Sequence, residues 1–217
     1  NILKEKEFAP DTTFDVQNLV EDKERIRLVL PKTTDYQIRL VLREGELLTE
    51  LNKEVKQGTF DIAILGSPKR KRMTQKIAQF LDTSIFFVKN FNPSWDYKIL
   101  LCVDDSRATK RAVILSTRIA KQFSADITSV TVSKTSFFGK GYRNAQIWAE
   151  RYLKRKNITF ESRFLSGTPV DVFVKKAGEN HIIIMGKAKG NEIIKFVLGS
   201  KPIHTAQRAN CPVLLVN

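Results

Sequence analysis

Short apolar runs alternate with longer segments of helical periodicity through the whole of residues 97–217. There are five such runs: YKILLCV (97–103), ADITSVTV (125–132), ITFESRFL (158–165), HIIIMG (181–186) and PVLLVN (212–217). The fourth is apolar on both faces, as expected of a central strand in a parallel sheet. Because strands separated by helices at this spacing join through right-handed crossovers, the pattern predicts an α/β domain built on a five-stranded parallel sheet.

The segments between the runs predict the helices. Ser106 stands at the N-cap position of the first helix, and Thr168-Pro169 begins the third. The second helix has a strong amphipathic pattern, with side chains at i, i+3, i+4, i+7 and i+8: Ala145, Trp148, Ala149, Tyr152 and Leu153. Five strands connected in this way favour the doubly wound, Rossmann-like order 3-2-1-4-5, whose switch point lies between strands one and four.

The first half of the chain repeats part of this pattern. Three segments correspond: YQIRLVLREG (36–45) to ITFESRFLSG (158–167), FDIAILGS (60–67) to HIIIMGK (181–187), and SIFFVKN (84–90) to PVLLVN (212–217). Leu48, Leu51 and Val55 predict a helix between the first two segments of the earlier copy. The repetition indicates one structural unit used twice.

The earlier copy is abbreviated. Residues 1–35 are too few for the strand-helix-strand-helix that opens the later copy, and only RIRLVLP (25–31) is predicted as a strand there. FNPSWD (91–96), which contains Pro93, is the natural linker. We therefore predict two domains, a degenerate and truncated copy over residues 1–92 and a complete copy over residues 97–217.

Each copy ends in an apolar, β-prone strand, at 84–90 and at 212–217. An exposed sheet edge of this kind recruits other strands unless it is covered. Since the linker ties the copies together, the entropic cost of bringing these strands together is modest. We predict that they pair within one molecule across a pseudo-twofold axis, with homodimerisation through other surfaces as a further expectation.

The composition, 42% hydrophobic and 28% charged, is ordinary for a globular protein. No run approaches the roughly 18 apolar residues that span a bilayer, and the N-terminus, NILKEKEF, lacks the apolar core of a secretory signal. Cys102 and Cys211 occupy apolar contexts without metal-ligand spacing, so buried free thiols in a reducing cytoplasm are expected. Because the sequence lacks an initiator Met, a piece of a longer chain is also expected.

Nearly all of the net charge of +14 belongs to the second half of the chain. Residues 97–217 carry 21 Lys and Arg against 8 Asp and Glu, whereas residues 1–96 carry 16 against 15. Such a field attracts nucleotides, nucleic acids and anionic lipids alike. No nucleic-acid reader module is recognisable, and Phe137-Phe138 is too little for a stacking platform, so no specific nucleic acid is predicted as a partner.

Residues 97–217 resemble the universal stress protein family. In that family the first strand ends in Val-Asp or Thr-Asp followed by a Ser, and here the corresponding residues are Val103, Asp104, Asp105 and Ser106. The family hallmark after the fourth strand is G-x2-G-x9-G-[ST]; Gly186, position 189, Gly199 and Ser200 fall on that spacing. The closing NCPVLLV (210–216) also matches.

The resemblance implies a regulatory protein of the stress response that binds ATP or a related adenine nucleotide. Asp104 and the backbone around Val132 would hold the base and ribose. Met185 and Gly186 would pass close to the ribose and phosphates, which Gly199 and the Ser200 hydroxyl would meet at the start of the last helix. A helix N-terminus and glycine-rich backbone favour anions because unpaired N–H groups can approach them.

The sequence departs from the family pattern at two positions, with Lys189 in place of Gly and Lys201 in place of a small apolar residue. Lys189 would either fill the phosphate space or pair with a phosphate, and together with Lys187, Lys195 and Lys201 it makes this neighbourhood cationic. In the earlier copy Gly66-Ser67 survive, but Pro68 and a basic run at 69–72 replace the loop. No nucleotide is expected there.

Catalytic alternatives find little support. His181 and His204 are expected to be structural or exposed, and the adjacent Asp104 and Asp105 should diverge where their strand ends. No zinc spacing, P-loop or nucleophile elbow occurs. The leading hypothesis is thus a non-enzymatic nucleotide-binding regulator, at most a very slow nucleotide hydrolase. The alternative is a nucleotide-free interaction module, such as the cytosolic part of a membrane transporter, which is the protein's one expected link to a membrane.

Overall fold

The computed structural model describes most of the chain after residue 44 and four short strands before it. In full, these are residues 45–58, 60–66, 71–92, 94–187 and 201–217, with the backbone of the four strands. The chain divides into two compact units, residues 1–51 and residues 52–217.

The N-terminal unit contains two antiparallel strand pairs. Strand β1 (Lys6–Glu7) pairs with β4 (Arg39–Leu40), and β2 (Thr13–Asp15) pairs with β3 (Arg27–Val29). The predicted strand at 25–31 therefore contains β3. The predicted counterpart of ITFESRFLSG contains β4, but β4 lies in a two-stranded antiparallel sheet and not in a parallel one. The expected structural equivalence of these two segments is wrong, because similar apolar patterns specify a strand without specifying its neighbour.

The larger unit is built on a seven-stranded sheet. Helix α1 (Leu47–Gln57) spans the boundary between the units, and confirms the helix predicted from Leu48, Leu51 and Val55. The elements that follow are β5 (Ile62–Gly66), α2 (Lys71–Phe80), β6 (Ser84–Val88), β7 (Lys98–Cys102), α3 (Arg107–Phe123), β8 (Ile127–Ser133), α4 (Lys140–Arg155), β9 (Phe160–Ser166), α5 (Pro169–Lys176), β10 (His181–Gly186), α6 (Lys201–Arg208) and β11 (Val213–Val216). Their order in the sheet is β5-β6-β11-β10-β7-β8-β9. Strands β7 to β11 are parallel in the order 3-2-1-4-5, so the predicted α/β class is confirmed.

Strands β6 and β11 pair antiparallel where the parallel pair β5–β6 meets the parallel strands β7 to β11. Phe86 lies opposite Leu214, and Ile85 lies opposite Leu215. Both Ile85 and Leu215 are fully buried, so the ladder removes two apolar edges from water at once. The predicted intramolecular pairing of 84–90 with 212–217 is confirmed. The division into repeats at 1–92 and 97–217 stays a prediction.

Two layers of helices cover the parallel part of the sheet. Helices α3 and α4 contact each other, and the Lys110 ammonium of α3 lies 5.6 Å from the ring centroid of Trp148 in α4. Helices α5 and α6 also contact each other, and Arg208 forms a 2.7 Å ion pair with Asp171. The main apolar core joins side chains of α3 and α4 to those of β7, β8, β10 and β11.

Both cysteines are buried free thiols, as predicted. Burial raises the pKa of Cys211 to about 11 and raises that of Cys102 well above its usual range, so neither thiol is a ready nucleophile. Within the described residues, no helix has both the length and the apolar character that a membrane span requires.

Candidate functional site

The carboxyl ends of β7, β8 and β10 meet at one edge of the sheet, where a cavity of about 210 Å³ opens. This is the switch point of the strand order, where ligands of doubly wound proteins bind. The lining residues are Cys102, Val103, Asp104, Val132, Tyr142, Pro169, Phe173, Met185, Gly186, Lys201 and Pro202. Four predicted site residues, Asp104, Val132, Met185 and Gly186, are therefore brought together in one place.

Asp104 lies two residues after the end of β7 and is held in position by the first turn of α3. Its Oδ1 accepts hydrogen bonds from the Ser106 backbone N–H at 3.0 Å and from the Thr109 hydroxyl at 2.5 Å. The Thr109 oxygen in turn accepts the Asp104 backbone N–H at 3.2 Å. Ser106 occupies the N-cap position as predicted, but its side chain makes no capping bond, since Thr109 and Asp104 bind each other instead. Two donors on Oδ1 fix the carboxylate and leave Oδ2 for a ligand.

Gly186, at the end of β10, is needed because α3 packs directly against it. A Cβ atom at this position would lie 2.7 Å from the Ala108 carbonyl carbon and 2.9 Å from the Thr109 nitrogen, both in the backbone of α3. The glycine thus brings the start of α3, with Thr109 and its partner Asp104, close to β10. The resemblance explained Gly186 only by its approach to a ligand, and the helix contact adds a structural reason.

Sequence reasoning missed the wall formed by Tyr142, Pro169 and Phe173. Pro169 lies two residues after Gly167, whose φ of +132° favours glycine and turns the chain from β9 into α5. Burial, followed by the charges of Asp105 and Asp104, raises the pKa of Tyr142, so its phenol remains a hydrogen-bond donor at neutral pH. A signal for Tyr142 was present in the sequence, since it lies three residues before Ala145 on the inward side of α4.

Three predicted site residues, Lys189, Gly199 and Ser200, lie outside the described residues, as do Lys195 and positions 67–70 of the earlier copy. Lys201 is described and lines the cavity. Because Lys stands here in place of the family's small apolar residue, the cavity that contains the Asp104 carboxylate also contains a cation. The cavity therefore combines a mainly apolar wall with one carboxylate, one phenol and one ammonium group. Such a mixture suits an aromatic ligand that carries hydroxyl groups and negative charge.

Lys187 was expected to add to the cationic neighbourhood, and that expectation is wrong. Its side chain is buried, and its Nζ donates to the carbonyl oxygens of Leu81 at 2.7 Å and Thr83 at 3.3 Å, beyond the end of α2. Lys89, the residue after β6, donates similarly to the Ala209 carbonyl, just beyond α6, at 2.8 Å. The two lysines thus connect the segment β5–α2–β6 with the segment β10–α6–β11, because carbonyl groups near helix ends need donors.

The residues considered for catalysis are placed as predicted. His204 is exposed, and His181 is half-buried with its Nδ1 accepting the Gly178 backbone N–H at 3.1 Å. Asp105 is exposed and does not line the cavity, so it diverges from Asp104. Within the part of the chain that the structure describes, no group of three or more His, Cys, Asp or Glu side chains is placed to hold a metal ion.

Known structures share this fold. A universal stress protein from Archaeoglobus fulgidus superposes with a TM-score of 0.63 and 16% identity, over 78% of this chain and 64% of the other. This chain thus spans less than two thirds of that protein. A functionally unknown protein from Pseudomonas aeruginosa matches with a TM-score of 0.57 and 13% identity, over 80% and 68% of the two chains. A universal stress protein in complex with cAMP has a TM-score of 0.47 and 23% identity, over 56% and 97%.

A search of curated proteins found no significant match. The sequence profile of the universal stress protein family matches residues 97–217, which is more than half of the chain. The matched residues comprise β7 to β11 and α3 to α6, and every residue that lines the cavity. The chain therefore belongs to the universal stress protein family.

Proposed function

We propose that this protein binds ATP or a related adenine nucleotide in the cavity at the carboxyl ends of β7, β8 and β10, and acts as a regulatory protein in the stress response. One observation carries the proposal. Asp104, Val132, Met185 and Gly186, which the family resemblance associates with nucleotide binding, line a single cavity although they are spread over more than eighty residues of sequence.

The chemistry of the cavity fits the parts of a nucleotide. Val132, Phe173 and Met185 are buried apolar side chains that offer contacts to a purine ring. The free Oδ2 of Asp104 would accept a hydrogen bond from a ribose hydroxyl, since Oδ1 is already occupied by two donors. The ammonium of Lys201 supplies a positive charge for phosphate. Lys189, Gly199 and Ser200 join the proposed site through the family motif alone.

The proposal assigns no catalytic step to the site. Asp104 is the one carboxylate among the lining residues, and the raised pKa of Tyr142 keeps its phenol from acting as a base at neutral pH. At most, slow hydrolysis of a bound nucleotide by water would occur. We further propose a cytoplasmic location, the division into copies over 1–92 and 97–217, and homodimerisation through surfaces other than β6 and β11.

A nucleotide-free interaction module, such as the cytosolic part of a membrane transporter, remains the rival function. The observation that favours it is Lys189, which stands where nucleotide-binding relatives have glycine. A long side chain at that position would compete with phosphate for the same space unless it forms an ion pair with it.

Calorimetric titration of the full chain with ATP and AMP, beside the Asp104→Asn variant, tests the proposal. Asparagine keeps an acceptor for Ser106 and Thr109 but loses the charge, so affinity should fall about tenfold or more, in line with the 1.5–3 kcal/mol of a charged hydrogen bond. Asp105→Asn is the matched control, because Asp105 is adjacent but exposed and outside the cavity.

A single site weakened by Asp104→Asn and unaffected by Asp105→Asn would support nucleotide binding. No heat of binding at millimolar nucleotide, with both variants folded by circular dichroism, would favour the rival function. Two equivalent sites would also contradict the proposal, because the earlier copy lacks a counterpart of Asp104.

A further inference from the structure

The two helix layers differ sharply in charge. Helix α3 and residues 140–156, which include α4, carry eleven Lys and Arg and one acidic residue, Glu150. Helices α5 and α6 carry four Lys and Arg and one Asp. All eleven basic residues of the first layer are exposed. About half of the basic residues of the second half of the chain therefore lie on one side of the molecule.

This charge is not neutralised within the described part of the chain. The ion pairs found there, Arg163–Glu161 and Arg208–Asp171, belong to β9 and to the α5–α6 layer. No Lys or Arg of α3 or α4 pairs with a described carboxylate. Uncompensated like charges repel one another and destabilise the folded state, so their concentration on one face favours an external anionic partner.

The basic residues surround one isoleucine on each helix in a repeated pattern, partly buried on α3 and exposed on α4. On α3, Ile114 has Arg107, Arg118 and Lys121 at i−7, i+4 and i+7. On α4, Ile147 has Lys140, Arg151 and Lys154 at the same three offsets, and its side chain is 44% exposed. These offsets place each isoleucine in the middle of a basic helix face. Phe123, at the end of α3, is 73% exposed on the same layer.

The two helices form one continuous surface. They lie in contact, with Lys110 of α3 over the Trp148 ring of α4 and Trp148 stacked on Tyr152 at 5.4 Å. Helices of this length extend about 24 Å at 1.5 Å per residue. The surface therefore presents two adjacent rows of cations with apolar side chains between them, over an area that many lipid headgroups could contact.

We propose that the α3–α4 layer docks on the surface of a bilayer rich in anionic phospholipid. Lys and Arg near such a surface are attracted to headgroup phosphates, and apolar side chains among them gain by entering the interface. A nucleic acid would satisfy the cations equally but would offer nothing to Ile147 or Phe123. The Trp148 and Tyr152 rings, already covered by Lys110, Arg155 and Lys156, are not free platforms for bases.

Co-sedimentation with vesicles tests the proposal on the full chain. The vesicles are pure phosphatidylcholine, or equal parts of phosphatidylcholine and phosphatidylglycerol, at low and at physiological ionic strength. The test variant combines Arg118→Gln, Lys121→Gln, Arg151→Gln and Lys154→Gln. Its matched control combines Lys98→Gln, Lys134→Gln, Lys175→Gln and Lys176→Gln, which removes the same number of exposed charges outside the α3–α4 layer.

The wild-type chain should bind the anionic vesicles and not the neutral ones, and added salt should weaken that binding. The test variant should lose at least about tenfold in partition coefficient, whereas the control should stay within about twofold. Equal losses in both variants, or no binding to anionic vesicles at low salt, would overturn the proposal. The proposal would also be overturned if the test variant kept its binding to vesicles but lost binding to a short DNA duplex.

Discussion

The units β5–α2–β6 and β10–α6–β11 share one arrangement of strands but have different surroundings. In each, two parallel strands are joined by a helix, and the first strand ends in glycine. A Cβ on Gly186 would collide with the backbone of α3, whereas a Cβ on Gly66 would meet nothing within 4 Å. Ile184 is completely buried, whereas its counterpart Ile64 is 68% exposed.

This contrast shows what the repeated unit does and does not supply. The strand-helix-strand unit forms from its own sequence in both copies, and in both it delivers its last strand to the β6–β11 junction. The cavity requires more, because Asp104 follows β7 and Thr109 lies in α3, and among the described residues only the later segment has these elements. A repeat can therefore keep its fold and its pairing role while lacking the neighbours that make a site.

The largest effect is expected from shortening the matched isoleucines. Ile184→Ala leaves a cavity under α3 and should lower the free energy of unfolding by about 2–5 kcal/mol. Ile64→Ala removes methylene groups that are mostly in water and should change it by less than about 0.5 kcal/mol. Urea denaturation of both variants measures the difference. Similar losses at the two positions would show that the copies are packed alike.

A smaller effect is expected from adding a methyl group to the matched glycines. Gly186→Ala forces α3 away from β10 and should cost about 1–3 kcal/mol, with weaker nucleotide binding because Thr109 moves with the helix. Gly66→Ala has open space around it and should be nearly neutral. Thermal unfolding and calorimetric titration measure the two consequences. A stable Gly186→Ala variant would contradict the close contact.

The smallest effect concerns pH. Burial, and then Lys98, lower the pKa of His181, so the folded chain takes up a proton at this group less readily than the unfolded chain does. The neutral form contributes its full stability above about pH 6.5, and that contribution is lost as the pH falls through the unfolded-state value toward the folded-state value.

Asp61 stands at the corresponding place of the earlier copy. The variant His181→Gln should therefore reduce the fall in urea midpoint between about pH 7 and pH 5. The exposed His204 provides the control, since His204→Gln should leave the pH dependence as it is. An unchanged slope in His181→Gln would contradict the assignment.

Much of the fold could be predicted from the sequence because local patterns reflect local physics. Alternation of apolar runs with 3.6-residue periodicity defined β7 to β11 and the helices between them, since side-chain spacing decides which face of an element can be buried. The pairing of β6 with β11 followed from two apolar edges on one chain. The expected equivalence of residues 36–45 with the strand at 158–167 was wrong, because the pattern of β4 specifies a strand but not its partner.

The candidate site was predicted only in part, for a related reason. The convergence of four site residues could be predicted, because they lie near the carboxyl ends of strands whose order was predicted. They are Asp104, Val132, Met185 and Gly186. The hydrogen-bond partners of the Lys187 ammonium could not be predicted, because they are carbonyl groups more than a hundred residues away in the sequence. The same holds for Gly186, whose contact with α3 arises only once β10 lies beside β7.

The sequence by itself determined the family, the order of strands and helices, and the concentration of positive charge in the second half of the chain. The tertiary structure alone decided which of those charges stay exposed, which lysine is buried, and which aromatic side chains line the cavity. The physical reason is that periodicity and composition act along the chain. Burial and hydrogen bonding depend instead on neighbours that the crossovers of the sheet bring together.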